Sequence, residues 1–231
     1  MTAGTPVSNG AGEHRQTAPT EQTSAVPSAS DKPDAETIVV AVDLLSHFWS
    51  RPVADEVASW AAARDLEAET DSRISSDPLR EPVRVPDLEE APRLLDEYER
   101  LFVGPGQVPC PPYESFWRED VPVDIRRTLM GPCTAELKQV YSDLGLQMSS
   151  QSVELPDHIT IELEAMAYAL SFEETAPLAR RIFEEHLARW LPRLCRAVAH
   201  EAAEAFYRDL AVLTLDWLAA IKGHFALAET G

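Results

Sequence analysis

The sequence has few cysteines, and their positions are unsuited to disulfides or metal binding. Cys110, Cys133 and Cys195 are widely separated, form no C-x-x-C pair and are odd in number, which argues against a disulfide scaffold. The six histidines are equally scattered and show no spacing typical of a zinc site. We therefore expect reduced thiols and no bound metal or other cofactor.

Basic residues are also scarce. The chain has 20 lysines and arginines against 39 aspartates and glutamates, a formal net charge of −19. Because nucleic-acid binding normally needs a concentrated basic face, DNA and RNA are not expected as partners. A basic peptide would be attracted by this charge, although an acidic surface can also serve solubility alone.

Signatures of catalysis, membrane insertion and export are missing as well. G-P-G at residues 104–106 has no neighbouring lysine as in a phosphate loop, and Ser115 has no G-x-S-x-G context. No stretch approaches the roughly 20 apolar residues of a membrane span. The N-terminal residues lack the apolar region of a secretory signal and the arginine-rich pattern of a transit peptide. We expect no membrane span and a cytoplasmic protein.

The chain divides into a tail and a helical domain. Residues 1–34 carry few large apolar side chains and are expected to form a disordered tail. Residues 35–231 show helical periodicity without sustained strand-like alternation, which predicts a single all-α globular domain. The predicted helices cover about 35–50, 53–68, 87–103, 121–144 with a kink or division at Gly131-Pro132, 156–170, 177–191 and 192–227, with a connection at 70–86.

The stretch from residue 101 to residue 117 is the most informative part of the chain. Its prolines and glycines surround Tyr113, Phe116 and Trp117, which predicts a rigid loop that presents large side chains. Aromatic groups on such a loop lose little conformational entropy when another chain docks, so the pattern favours recognition over catalysis. Aromatic residues near a loop can also simply fill the core beneath it.

Asp157, His158 and Glu162 form a second candidate site. Glu162 follows His158 by four residues, so the two side chains are expected to meet on one helix face. Three interpretations remain open: peptide binding beside the proline-rich loop, a structural tie between a helix start and that loop, or an enzyme, such as a nucleotide hydrolase or a transferase, that uses His158 and Glu162. A further alternative is a helical adaptor that joins proteins through Trp190 and Trp217.

Four motifs occur together in a family-specific order. They are Y-E-R-L-F-V-G-P-G at 98–106, P-P-Y-E-S-F-W at 111–117, P-D-H-I-T-I-E-L-E-A-M at 156–166 and H-L-A-R-W-L-P-R-L at 186–194. With these motifs the chain resembles the TorD/DmsD/NarJ family of cytoplasmic chaperones for molybdoenzymes. The resemblance covers roughly residues 38–227 and leaves the tail unexplained.

The resemblance implies an all-helical protein without enzymatic activity. Such a protein would bind the twin-arginine signal peptide and the apoprotein of a molybdopterin-dependent oxidoreductase, and hold the precursor until its cofactor is inserted. The family motifs imply client binding by Tyr113, Glu114, Ser115, Trp117, Asp157, His158 and Glu162. The reasoning on the loop adds Phe116 to this set.

These residues suggest a mechanism. We expect Glu114, Asp157 and Glu162 to meet the client's arginines through charge-assisted hydrogen bonds, while the loop aromatics cover its apolar segment. Replacement of Asp157 or His158 would then weaken client binding without unfolding the protein. The oligomeric state is expected to be a monomer or a helix-exchanged dimer, since the connection at 70–86 would permit exchange.

Overall fold

The described part of the chain is built from α-helices, which confirms the predicted all-α class. The computed structural model describes residues 33–60, 86–122, 130–149 and 154–228. Its helices are α1 Ala35–Phe48, α2 at 54–60, α3 Ala91–Tyr98, α4 Glu114–Trp117, α5 Pro132–Asp143, α6 Ile159–Leu170, α7 Ala176–Arg181, α8 Ala188–Glu201 and α9 Ala205–Ala228. Nearly all of the predicted tail at 1–34, and of the predicted connection at 70–86, lies outside the described residues.

Helix α1 begins where the sequence predicts. The Asp34 carboxylate accepts a hydrogen bond from the Thr37 amide at 2.8 Å, which caps the helix start. This hydrogen bond lowers the pKa of Asp34. The inward face of the helix carries Ile38, Val42 and Leu45, all buried, as expected for an amphipathic helix against a core.

The core lies where α1, α6, α8 and α9 meet. The most extensive helix pairs are α1 with α6 and α8 with α9, and α1 also contacts α9. Rings of Trp49, Phe102 and Tyr207 pack edge to face and join α1 and α9 to the chain after α3. Trp190 is completely buried, so it cannot form part of the exposed surface that the adaptor alternative requires.

The segment predicted as one helix at 87–103 has three geometries. A 3-10 turn at Leu88–Glu90 precedes α3, and a π-helical turn at Glu99–Val103 follows it. Leu88 is half exposed because it lies in the turn before α3 begins, and it is therefore not part of the predicted buried stripe. Gly104 ends the segment with a φ of 103°, a conformation that favours glycine.

The division predicted at Gly131-Pro132 is the start of α5. Pro132 lies in the first turn of that helix, where a missing amide hydrogen costs little. Residues 123–129 of the predicted helix lie outside the described part of the chain.

The break between the last two helices lies at residues 202–204, and the prediction that Pro192 separates them is wrong. The chain runs from α7 through a π-helical segment, Ile182–Leu187, into α8, which contains Pro192. The buried Glu97 carboxylate accepts hydrogen bonds from the amides of Ala203 and Glu204 at 2.5 and 3.4 Å. The start of α9 thus depends on a side chain from a helix distant in sequence.

One described helix is long and apolar enough to cross a membrane by length and composition alone. It is the part of α9 at Ala205–Leu227, whereas the sequence predicted no membrane span. The core helix of a soluble protein has the same composition. α9 packs against α1 and α8 through buried side chains such as Phe206, Leu210 and Ile221, and 33% of its most apolar stretch is buried.

The three cysteines are buried, and no two of them form a disulfide. Burial raises the pKa of the Cys110 and Cys133 thiols to about 12. Both thiols are therefore protonated at neutral pH and poorly reactive.

A buried hydrogen bond between the residue that follows α1 and helix α9 allows the core packing to be tested. The Trp49 indole donates to the Thr214 hydroxyl at 3.0 Å, and Thr214 is completely buried. Thr214→Val keeps the shape of the side chain but removes the acceptor, so it should lower the free energy of unfolding by about 1–3 kcal/mol in urea titration. Thr214→Ser retains the acceptor and serves as the control. Equal stability of the valine variant and the wild type would contradict this account.

Candidate functional site

Hydrogen bonds connect residues within the proline-rich loop and join the loop to the helical segment before it. The Cys110 amide donates to the Leu101 carbonyl at 3.0 Å, and the Trp117 indole donates to the Pro111 carbonyl at 2.7 Å. The rings of Phe116 and Trp117 meet edge to face at 5.4 Å. These contacts hold the aromatic side chains in fixed positions.

The two predicted site regions meet in a short antiparallel bridge. Tyr113 and His158 form an isolated β-bridge. On either side of it, the Glu114 amide donates to the Asp157 carbonyl at 2.9 Å, and the Ile159 amide donates to the Pro112 carbonyl at 3.0 Å. The loop and the start of α6 therefore form one surface.

The side chains of this bridge reinforce the backbone pairing. The Tyr113 and His158 rings lie edge to face at 5.2 Å, and the Tyr113 hydroxyl donates to the Glu154 carboxylate at 3.0 Å. The Asp157 carboxylate accepts from the Ser115 amide at 3.3 Å. Asp157 therefore caps α4, the four-residue helix that follows the loop.

Helix α6 begins at Ile159 rather than at Pro156 as predicted. His158 is its N-cap, and the His158 ring nitrogen Nδ1 accepts from the Thr160 amide at 3.3 Å. The preceding Asp157 gives its carbonyl to Glu114 across the bridge. The Asp157 carbonyl and the Ile159 amide thus pair with the loop, and the first helical hydrogen bond of α6 is the one that the His158 carbonyl accepts from the Glu162 amide.

The predicted pairing of His158 with Glu162 is wrong. His158 Nε2 lies 3.6 Å from the Glu154 carboxylate, whereas Glu162 accepts a hydrogen bond from the Trp190 indole at 3.1 Å. Because His158 caps the helix from outside, it does not share a helix face with Glu162. Burial lowers the pKa of His158, which keeps its ring neutral at pH 7.

Glu114 lies in a buried network that includes residues missing from the predicted set. Its carboxylate forms an ion pair with Arg118, and His186 Nδ1 lies 2.9 Å from its second oxygen. Arg118 also donates to the Glu185 carbonyl at 3.0 Å and to Asp120 at 2.7 Å. The four-residue spacing of Glu114 and Arg118 could have predicted the first contact, whereas His186, far along the chain, has no local sequence signal.

Burial changes the expected roles of the predicted residues. Glu114, Asp157 and Glu162 are completely buried, and Ser115 is nearly so. The expectation that these carboxyl groups meet a client's arginines therefore requires correction, because all three are enclosed and have hydrogen-bond partners inside the protein. Tyr113, Phe116 and Trp117 are only half-buried and provide the accessible part of the predicted set. The carboxylates accessible beside them belong to Glu119, Asp120 and Glu154, which the sequence reasoning missed.

The buried carboxyl of Glu162 predicts a pH-dependent stability. Burial, and next the nearby Glu114 carboxylate, raise the pKa of Glu162 well above its usual value. The folded protein therefore keeps a proton that the unfolded chain releases, and stability should fall as pH rises above about 4.3. Glu162→Gln cannot ionise and keeps an oxygen for Trp190. It should lose less stability than the wild type between about pH 5 and about pH 8 in urea titration.

Glu136→Gln, at an exposed position of α5, controls for the loss of one negative charge. The same pH dependence in Glu162→Gln and the wild type would show that Glu162 does not carry this proton.

Comparison with known proteins identifies the family of this chain. The family described as nitrate reductase delta subunit matches residues 58–196.

The Tat proofreading chaperone DmsD of Salmonella typhi is 30% identical over 120 residues, 52% of this chain and 56% of that protein. The perchlorate reductase assembly chaperone protein of Dechloromonas aromatica is 30% identical over 133 residues, 51% and 58% of the two chains. The chaperone protein TorD of Shewanella pealeana is 26% identical over 127 residues, 54% and 57%.

The chain thus spans little more than half the length of the curated relatives it matches. These relatives are all named as chaperones, which supports the prediction that the chain is not an enzyme. The matched region includes the proline-rich loop, the bridge and the start of α6. The chain therefore belongs to the nitrate reductase delta subunit family, the TorD/DmsD/NarJ group of chaperones that its motifs resemble.

Proposed function

We propose that this protein is a cytoplasmic chaperone for the maturation of a molybdopterin oxidoreductase. It binds the twin-arginine signal peptide and the apoprotein, and holds the precursor until the cofactor is inserted. The observation that carries the proposal is the bridge between Tyr113 and His158, which fixes half-buried aromatic rings beside a buried polar support. The relatives' names, Tat proofreading chaperone and perchlorate reductase assembly chaperone, favour a redox-enzyme client.

The rings of the loop suit an apolar peptide segment. Tyr113, Phe116 and Trp117 are half-buried, so each offers an apolar face to solvent while the rest of the ring is held in place. Rings held in this way lose little freedom when a peptide docks. Aromatic side chains in partly enclosed positions are also frequent energetic centres of interfaces.

The basic part of a signal peptide would meet accessible carboxylates at the edge of the loop. Glu154 lies beside the Tyr113 hydroxyl, and its side chain is 36% exposed. Glu119 and Asp120 follow α4 at more exposed positions, where Glu119 pairs with Arg193 and Asp120 pairs with Arg118 and Arg189, so a client's arginine would share these carboxylates. In this arrangement Glu114 and Asp157 act as positioning residues, because they hold the loop from inside, while Glu162 joins α6 to α8 through Trp190. The net charge of −19 favours approach of a basic peptide over nucleic acid.

The half-buried ring of Phe116 provides the test of this surface. Phe116→Ala removes apolar contact area without breaking a buried hydrogen bond, so it should weaken binding of a twin-arginine signal peptide about tenfold or more. Isothermal titration calorimetry would use the signal peptide of the precursor that co-purifies with the protein from its host. Because the Phe116 ring also packs against Trp117, circular dichroism at the temperature of the titration verifies that the variant is folded.

Val212→Ala, which shortens an exposed apolar side chain on α9, is the matched control and should bind normally. Wild-type affinity of Phe116→Ala would exclude the loop from the binding surface. Failure to recover any oxidoreductase precursor would contradict the proposed function itself.

A further inference from the structure

A groove on the outer side of α6 is separate from the proline-rich loop. It lies between Tyr141 of α5, the chain at residues 146–149, and Ile161, Glu164 and Tyr168 of α6, and encloses about 350 Å³. We name it the α5–α6 groove. Its walls are mainly apolar, and it is open to solvent on one side.

Helix α6 carries apolar residues on two sides. Leu163 and Met166 are buried in the core, while Ile161 and Tyr168 lie on the groove side. Tyr168 is 42% exposed, and its ring meets that of Phe172, also exposed, at 5.4 Å. A helix that is apolar all round is usually enclosed, and a contiguous apolar surface left open is typical of a docking site.

The charge of the groove indicates what kind of partner would fit. Glu164 lies in its wall, and among the described residues no lysine or arginine pairs with it. Partial burial of its carboxyl group raises the pKa of Glu164; its charged neighbours are His47, which opposes this shift, and Asp43, which adds to it. His47 itself lies 3.9 Å from the Asp43 carboxylate. A cation brought by a partner would therefore find an uncompensated acidic group in an apolar wall.

The groove adjoins the proposed client-binding loop. Tyr141 lines the groove, and its hydroxyl donates to the Pro156 carbonyl at 2.8 Å. Pro156 belongs to the turn that carries Asp157 and His158 to the bridge with Tyr113. The groove wall and the bridge are therefore joined through this buried turn, and the two surfaces lie on neighbouring parts of the fold.

We propose that the α5–α6 groove receives the apolar run of the client's signal peptide, and that Glu164 pairs with a basic residue beside that run. This inference rests on the proposed function and extends the contact with the apolar part of the signal from the loop into the groove. A second copy of this chain fits the groove less well, because it would bring another surface of an acidic protein, with a net charge of −19, towards Glu164.

The test uses the full chain and a fluorescently labelled peptide of two arginines followed by a run of leucine and alanine. Fluorescence anisotropy should show that Glu164→Gln weakens binding about threefold to tenfold and that Tyr168→Ser weakens it about tenfold. Both positions are exposed, so the variants should fold, and circular dichroism would verify this. Against a peptide with glutamates in place of the arginines, Glu164→Gln should not weaken binding.

Matched controls lie on α9, which does not line the groove. Asp216→Asn makes the same charge change as Glu164→Gln at an exposed site, and Val212→Ser makes an exposed apolar residue polar. Both should bind the peptide as the wild type does. In a second measurement, benzoylphenylalanine in place of Tyr168 should crosslink to the peptide on irradiation, whereas the same group at Val212 should not.

The outcomes separate the two proposals. If the peptide binds, and Phe116→Ala weakens it while Glu164→Gln and Tyr168→Ser do not, the groove assignment is wrong and the proposed function stands. If neither the peptide nor the co-purified precursor's signal peptide binds the wild type, both proposals fail. If sedimentation shows self-association that Tyr168→Ser abolishes, the groove belongs to a second copy and the inference is overturned.

Discussion

The backbone pairing of Tyr113 with His158 is the constraint on which the rest of the site depends. α4 has only four residues, too few to persist alone, and its first turn is capped by the Asp157 carboxylate from across the bridge. The start of α6 is fixed by the same pairing, because the Ile159 amide donates to the Pro112 carbonyl. One short bridge therefore sets both the orientation of the loop and the first residue of a core helix.

The charged side chains beneath the bridge hold α4 in position. Glu114, Arg118 and His186 are enclosed together, and such buried groups offset their desolvation only when each has partners in good geometry. Their arrangement ties α4 to the chain just before α8, whereas the accessible surface above them is formed by aromatic rings. The contact surface and its support are thus distinct sets of residues, although the sequence places them side by side.

Because contact residues and supporting residues lie side by side in the sequence, only part of the site could be predicted from it. Helical periodicity was sufficient for the all-α class, and the clustered prolines and aromatics marked the loop. The meeting of the loop with the P-D-H motif was among the interpretations that the residues left open, and the family resemblance favoured it. The burial of Glu114 and Glu162 could not be read locally, since it depends on His186 and Trp190, which come from distant parts of the chain. The missed break before α9 has the same cause, because Glu97 of α3 sets it.

Hydrogen exchange of the full chain, with and without its co-purified precursor, tests the central claim most directly. The account predicts that the amides of Glu114 and Ile159 exchange slowly in the free protein, and that the precursor adds protection at residues 104–117 and at the start of α6. It predicts no added protection on the exposed face of α9. Rapid exchange of the two bridge amides in the free protein, or protection confined to regions away from the bridge, would contradict it.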